Sequence, residues 1–341
     1  MQHKPSAAKG GWKPALALVV LTPMVGELLT SSAPPFVFFI PWVFILFVLL
    51  YGCGALLIRE ISVRWNSGWP GILLLGAAYG ILEESLGAKS FFDPHWRALG
   101  MLGSYGRWLD VNWVWTIGLI LFHSGFCIGL SILAASLPYP QLRRAPWLAK
   151  KWLWLVGFLY ALDLWLFFEK GNENHYRAPN LYYAVSIAGA VLLILAARFW
   201  PRQADAHDFS SQVPVSRLFW LGFLSMVAFV ALLYGLPPIG VPALFTACML
   251  VVLAVVIAVL LQRWSDNGQQ ALTEQQQFWL VAGSFGCFAL QAPLQEMNPS
   301  RPDSARGMTA VGIAFLLYLW WLWARVGRAG ILAKDRITHG Q

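Results

Sequence analysis

Of 341 residues, 58% are hydrophobic, only 12% are charged, and tryptophan alone contributes 19. That balance excludes a soluble globular domain and points to a chain that lives in a bilayer. The net charge of +8 comes from Lys and Arg in short connections between apolar runs, where they set orientation, so no nucleic-acid partner is implied.

Ten helical spans are predicted, at about residues 12–30, 36–58, 69–88, 112–136, 152–168, 180–200, 217–236, 241–262, 278–293 and 308–326, giving an all-α polytopic membrane helical bundle. Lys4, Lys9 and Lys13 precede the first run in the manner of a signal peptide. The small-residue stretch Ser31-Ser32-Ala33 runs straight into Pro34-Pro35, a poor cleavage site, so the first helix is expected to stay. With both termini cytoplasmic, seventeen of the 24 Lys and Arg fall on the inner side and seven on the outer side. The expected setting is the plasma (inner) membrane. Residues 1–201 read as a six-helix region, 202–216 as a polar cytoplasmic linker, and 217–341 as a four-helix region with a short tail. The four cysteines lie inside apolar runs without metal-type spacing, and neither a metal ligand set nor a cofactor is indicated.

In the first span, Pro23 cannot donate to the Val19 carbonyl, which predicts a kink, and Glu27 follows near the outer end. The second span ends in Arg59, Glu60 and Arg64, which read as an ordinary charged cytoplasmic flank; its Gly52 and Gly54 permit close helix contact. In the third span, Gly76, Gly80 and Glu84 recur every four residues and share a face, so Glu84 should point into the bundle. Glu83 is rotated from it by about 100° and lies below Tyr79, whose hydroxyl is placed to hydrogen-bond it.

The connection 89–111 is long, and its Phe91, Phe92, Trp96, Tyr105 and Trp108 predict a folded cap in the outer interface or a simple aromatic belt. Within it, Asp93 and His95 form a D-x-H pair of the type that can hold a metal. The fourth span carries a polar stripe of Asn112, Thr116, His123, Cys127 and Ser131, which should face protein rather than lipid. Arg143, Arg144, Lys150 and Lys151 read as an anchor on the inner side. Asp163 lies beside Tyr160 in the fifth span. Thr273 and Gln276 form a capping box that opens the ninth.

The intramembrane ionisable groups Glu27, Glu83, Glu84, His123 and Asp163 all fall in the outer half, which predicts a shared, outward-facing hydrated cavity. A charge in hydrocarbon costs at least ~2.5 kcal/mol, so groups kept there are expected to be used. A Glu-Glu pair late in one span and a histidine in the next resembles the glutamate-dependent intramembrane proteases of the CAAX-protease and bacteriocin-processing family, over residues 79–123. By that resemblance Glu83 would activate water and His123 would hold it or the developing oxyanion, with Glu84 as the pair's second member. The family's basic residue after the pair would correspond to Lys89, one position later than in the pattern. Phe122 is adjacent to His123 rather than a turn before it. The family's further histidine on a later span has no counterpart, since His175, His207 and His339 lie in loops or the tail; Asp163 and Glu296 are the available substitutes.

Three functions are consistent with these residues. The first is an intramembrane hydrolase acting on a membrane-anchored peptide or a small molecule. The second is a proton- or cation-coupled transporter using the same groups as a relay, and the third a non-catalytic scaffold in the lipid bilayer. The charge split fixes a topology that can be tested. Single cysteines placed at Ser104 and at Ser265 are expected to label from opposite sides of the membrane; labelling from one side would mean a miscounted span.

Overall fold

The structure, a computed structural model, describes residues 8–97, 99–170, 176–201, 211–265, 271–299, 301 and 303–338, with side chains to residue 327. His175, His207, His339 and residues 202–210 of the expected linker lie outside the described residues.

Among the described residues, ten long helices follow one another: α1 (Trp12–Leu29), α2 (Pro41–Trp65), α3 (68–87), α4 (Trp113–Ser136), α5 (Lys150–Lys170), α6 (Asn180–Phe199), α7 (Val215–Gly235), α8 (Ala243–Trp264), α9 (Glu274–Met297) and α10 (Met308–Thr338). Eight are long and apolar enough to cross a membrane. The other two, α3 and α9, have the length of a span but are more polar, α3 through its Glu pair and α9 through the glutamines and glutamates at its ends. This is a polytopic membrane helical bundle. Proline marks many of the starts: Pro41 opens α2, and Pro179, Pro214 and Pro242 immediately precede α6, α7 and α8. There its missing N–H costs nothing and its fixed φ suits the first turn. The box predicted at α9 is present, with the Thr273 side chain bonded to the Gln276 N–H at 3.2 Å and the Gln276 side chain to the Thr273 N–H at 2.8 Å.

Helices α1 to α4 pack on one another at the centre, α5 lies against α2 and α3, and α6 against α3. On the other side α9 packs against both α7 and α10, α9 and α10 meet α1, and α8 lies along α4. The centre is the driest part: 67% of the apolar window of α4 is buried, against 6% for α5. Much of the surface of the outer helices is therefore left for lipid.

Glycines allow the central helices to touch. Pro23 leaves the Val19 carbonyl without its helical donor, and Gly52 of α2 fills the gap so closely that a Cβ there would lie 2.4 Å from that oxygen. A Cβ on Gly54 would lie 2.5 Å from the Tyr79 ring. On α3, a Cβ on Gly76 would meet the Ser124 backbone at 3.0 Å and one on Gly80 the His123 Cβ at 2.9 Å. The face predicted from the four-residue repeat is thus the contact with α4.

The loop 89–111 is a folded cap. A two-residue hairpin, β1 (Arg107–Trp108) against β2 (Val111–Asn112), turns through Leu109 and Asp110, both at positive φ as such turns require. Phe91, Phe92, Leu99 and Leu102 are buried in a small second core with Trp115, Tyr183, Phe229 and Leu250.

At the other end, Arg59 and Glu60 are not an ordinary flank. Both are buried. Arg59 stacks on Trp147 at 3.6 Å and donates to the carbonyls of Leu142 and Arg143. Glu60 accepts from Arg59, Arg64 and the N–H groups of Trp147 and Leu148. The loop after α4, expected to be a bare positive anchor, is pinned to α2 by this cluster. Its sequence gives no periodic sign of the contact, because every partner on that loop is a backbone group or a ring.

The packing carries a prediction. Gly80→Ala should cost about 1–3 kcal/mol and lower the unfolding temperature in detergent. Gly189→Ala, where a Cβ meets nothing within 4 Å, should leave it unchanged or raised. Equal effects at both positions would contradict the close approach of α3 and α4.

Candidate functional site

Each central helix loses its regular α turn where it carries a polar group. Among the described residues there are five π-helical segments: Met24–Leu29 holds Glu27, Val48–Gly52 holds Tyr51, Glu83–Gly87 holds the Glu pair, Phe122–Leu130 holds His123, and Ala231–Gly235 holds Tyr234. Such wide turns are rare and cluster at functional sites. Here the first four converge on one group of side chains, and the fifth brings Tyr234 near Glu84.

The His123 ring is the centre. Its Nε2 faces Glu83 Oε2 at 2.9 Å and Glu84 Oε1 at 3.1 Å. Each carboxylate is held from behind by a hydroxyl. Tyr51 donates to Glu83 Oε1 at 2.9 Å, and Ser90, on the cap side, donates to Glu84 Oε2. The outer ends are tied as well: Tyr51 also bonds Glu27 Oε1, and Trp115 Nε1 donates to Ser90 Oγ at 2.9 Å. The result is one polar chain, Glu27–Tyr51–Glu83–His123–Glu84–Ser90–Trp115, running through α1, α2, α3, α4 and the cap.

The chain belongs to an uncharacterized membrane protein family, whose model matches residues 16–333. No curated protein and no solved structure matches it. Membership in this membrane family covers nearly the whole length, so the polar chain lies within the matched region from Glu27 to Trp115 and His123.

Several sequence expectations change. The outward-facing hydrated cavity is closed: Glu83, Glu84 and His123 are 4%, 7% and 2% exposed. The rings of Tyr51, Tyr79 and Phe122 pack around the imidazole at centroid distances of 6.1, 5.7 and 5.5 Å. Tyr79 does not bond Glu83. Its hydroxyl finds no hydrogen-bond partner among the described residues: the turn from Tyr79 to Glu83 is a regular α turn whose side chains lean toward the helix N-terminus, and the Glu83 carboxylate is turned toward Tyr51 and His123. Tyr51 makes that bond instead.

Lys89 turns from the Glu pair and donates from Nζ to the Phe168 carbonyl at 2.7 Å, fastening the cap to the end of α5. Its removal from water lowers its pKa below the ordinary lysine value. Asp93 accepts the backbone N–H of His95 at 2.9 Å, closing a turn, while the His95 residue is exposed. The D-x-H pair thus forms an Asx-type turn. Asp163 is buried beside Tyr160, but neither carboxylate oxygen has a hydrogen-bond partner among the described residues, so it is not hydrogen-bonded to the polar chain. Glu296 caps α10 by accepting the Gly307 and Thr309 N–H groups at 3.0 and 2.8 Å. Neither substitutes for a second histidine.

Tyr51, Ser90 and Trp115 were missed. Tyr51 looks like one more aromatic in an apolar run, and only the long-range packing of α2 on α1 and α3 gives its hydroxyl a role. The sequence also offered no metal spacing, because 39 residues separate Glu84 from His123. Folded, one ligand atom each from Glu83, Glu84 and His123 lies within 4.8 Å of the others, close enough to hold one ion.

Removing the tyrosine hydroxyl tests the chain. Tyr51→Phe leaves two carboxyls without their shared partner, so it should destabilise the protein by about 1–3 kcal/mol. Tyr51→Phe with Glu27→Leu should recover part of that loss. Thermal unfolding in detergent reads both; an unaffected Tyr51→Phe would mean that the hydroxyl is not the link.

Proposed function

We propose that this membrane protein is an intramembrane hydrolase that cleaves a membrane-anchored peptide or a small acyl compound with Glu83, Glu84 and His123. The single observation that supports it best is the shared Nε2: two carboxylates and an imidazole meet at one point inside the hydrocarbon, with each carboxylate oriented by a hydroxyl. The same three residues carry the sequence resemblance to glutamate intramembrane proteases.

In this reading Glu83 takes a proton from water, and the water oxygen attacks the substrate carbonyl carbon. The imidazole N–H bonds the oxyanion that forms, and the chain from Glu27 through Tyr51 supplies and receives protons. Collapse of the adduct breaks the bond to the leaving group, which takes its proton from Glu84. Substrate would come from the lipid side. The least buried member of the group, half-buried Glu27, marks where the closed site reaches its surroundings. Opening would separate the rings of Tyr51, Tyr79 and Phe122.

One observation favours a second reading, a proton- or cation-coupled transporter. The hydroxyl shared by Glu27 and Glu83 is built for passing a proton, and the site is closed.

Purified protein in liposomes distinguishes the two. Under hydrolysis, Glu83→Gln keeps the volume and should lower cleavage of membrane-anchored peptides by at least about 100-fold. His123→Ala should do the same, and the double variant should be no worse than either alone, as for groups acting as a unit. Under transport, Glu83→Gln should instead uncouple solute uptake from the proton gradient. Full function of Glu83→Gln in both assays would remove both readings and leave a scaffold.

A further inference from the structure

We infer that Glu83, Glu84 and His123 form a binding site for one divalent transition-metal ion, held by Glu83 Oε2, Glu84 Oε1 and His123 Nε2. The inference goes beyond the proposed hydrolase, in which Glu83 itself takes the proton from water, and it can be tested without any substrate.

The first support is the direction of the atoms. A neutral imidazole nitrogen can make one hydrogen bond, yet Nε2 faces two carboxylate oxygens. Only the contact with Glu84 has hydrogen-bond geometry; Glu83 Oε2, on a side chain 4% exposed, has no hydrogen-bond partner among the described residues although it lies 2.9 Å from Nε2. Three ligand-type atoms within 4.8 Å of one another, without a satisfactory hydrogen bond between two of them, are better described as ligands. Bonds of 2.0–2.2 Å at tetrahedral angles put ligand atoms roughly 3.3 Å apart. The observed 2.9 and 3.1 Å need to widen by only a few tenths of an ångström.

The second support is what lies behind the ligands. Carboxylates that bind metals are usually oriented by hydrogen bonds to the oxygen that does not ligate. Here the hydroxyls of Tyr51 and Ser90 occupy Glu83 Oε1 and Glu84 Oε2, leaving the other oxygen of each turned toward Nε2. The third support is charge. Two carboxylates and a neutral imidazole around a dication sum to zero, which is the least costly state so deep in an apolar bundle. One nitrogen and two oxygens suit zinc, cobalt or manganese rather than calcium, and three protein ligands leave a fourth position for water.

The test uses the full chain, stripped with a chelator, loaded separately with Zn2+ and Co2+, desalted and analysed by mass spectrometry for metal. Wild type should retain about one ion per chain, and the Co2+ form should show the visible bands of a tetrahedral nitrogen–oxygen site. His123→Ala and the double variant Glu83→Gln/Glu84→Gln should retain almost none, while Asp110→Asn, on the exposed turn of the cap, should match wild type. Wild type without stoichiometric metal, or His123→Ala that keeps it, overturns the site. Should the variants fail to fold, a wild-type Co2+ form without visible bands overturns it just as well. Stoichiometric metal without hydrolysis would remove the proposed function and leave the site.

Discussion

Hydrocarbon cannot solvate a charge, and the centre of this protein is arranged around that constraint. Glu27, Glu83, Glu84 and His123 would each be costly alone among four packed helices. Joined through Tyr51 and Ser90 they form a chain in which each carboxylate has at least one hydroxyl partner and the imidazole faces two carboxylates. Breaking one link strands its neighbours, so the chain stands or falls as a unit. The same principle operates at the opposite end of α2, where buried Glu60 is enclosed by two arginines and two backbone N–H groups.

Backbone geometry makes the convergence possible. Glycines at 52, 76 and 80 remove the side chains that would hold α1, α2, α3 and α4 apart. Wide π turns then swing Glu27, Tyr51, the Glu pair and His123 inward. Such turns give up the regular i→i−4 bond and are kept where a side chain must be aimed. The cap completes the arrangement, since Ser90 stands just after the Lys89 backbone turn at φ 59° and is held by Trp115.

The architecture was legible because it depends on long patterns. Apolar runs gave the helices, the Gly76–Gly80 repeat gave the face of α3 that meets α4, and Thr273 with Gln276 gave the start of α9. The members of the site that stand out as charged in apolar runs, Glu83, Glu84, His123 and Glu27, were visible for the same reason. Tyr51 and Ser90 were not, since a tyrosine or serine in a membrane helix or loop carries no cost that marks it. Tyr79 was given a bond that the Glu83 carboxylate makes with Tyr51, a residue 32 positions away that no local pattern announces. Asp163 was grouped with the site by depth and Lys89 by its place in the resembled pattern, and neither specifies which way the side chain turns.

The central claim is that the groups from Tyr51 to Ser90 act as one coupled unit rather than as separate buried pairs. A double-mutant cycle on Tyr51→Phe and Ser90→Ala, at opposite ends of the chain and with no contact between them, measures this most directly. If the intervening Glu83–His123–Glu84 group transmits the change, the unfolding free energies in detergent should be non-additive by at least about 0.5 kcal/mol. Additivity within about 0.3 kcal/mol would contradict a single unit and leave two independent hydrogen bonds.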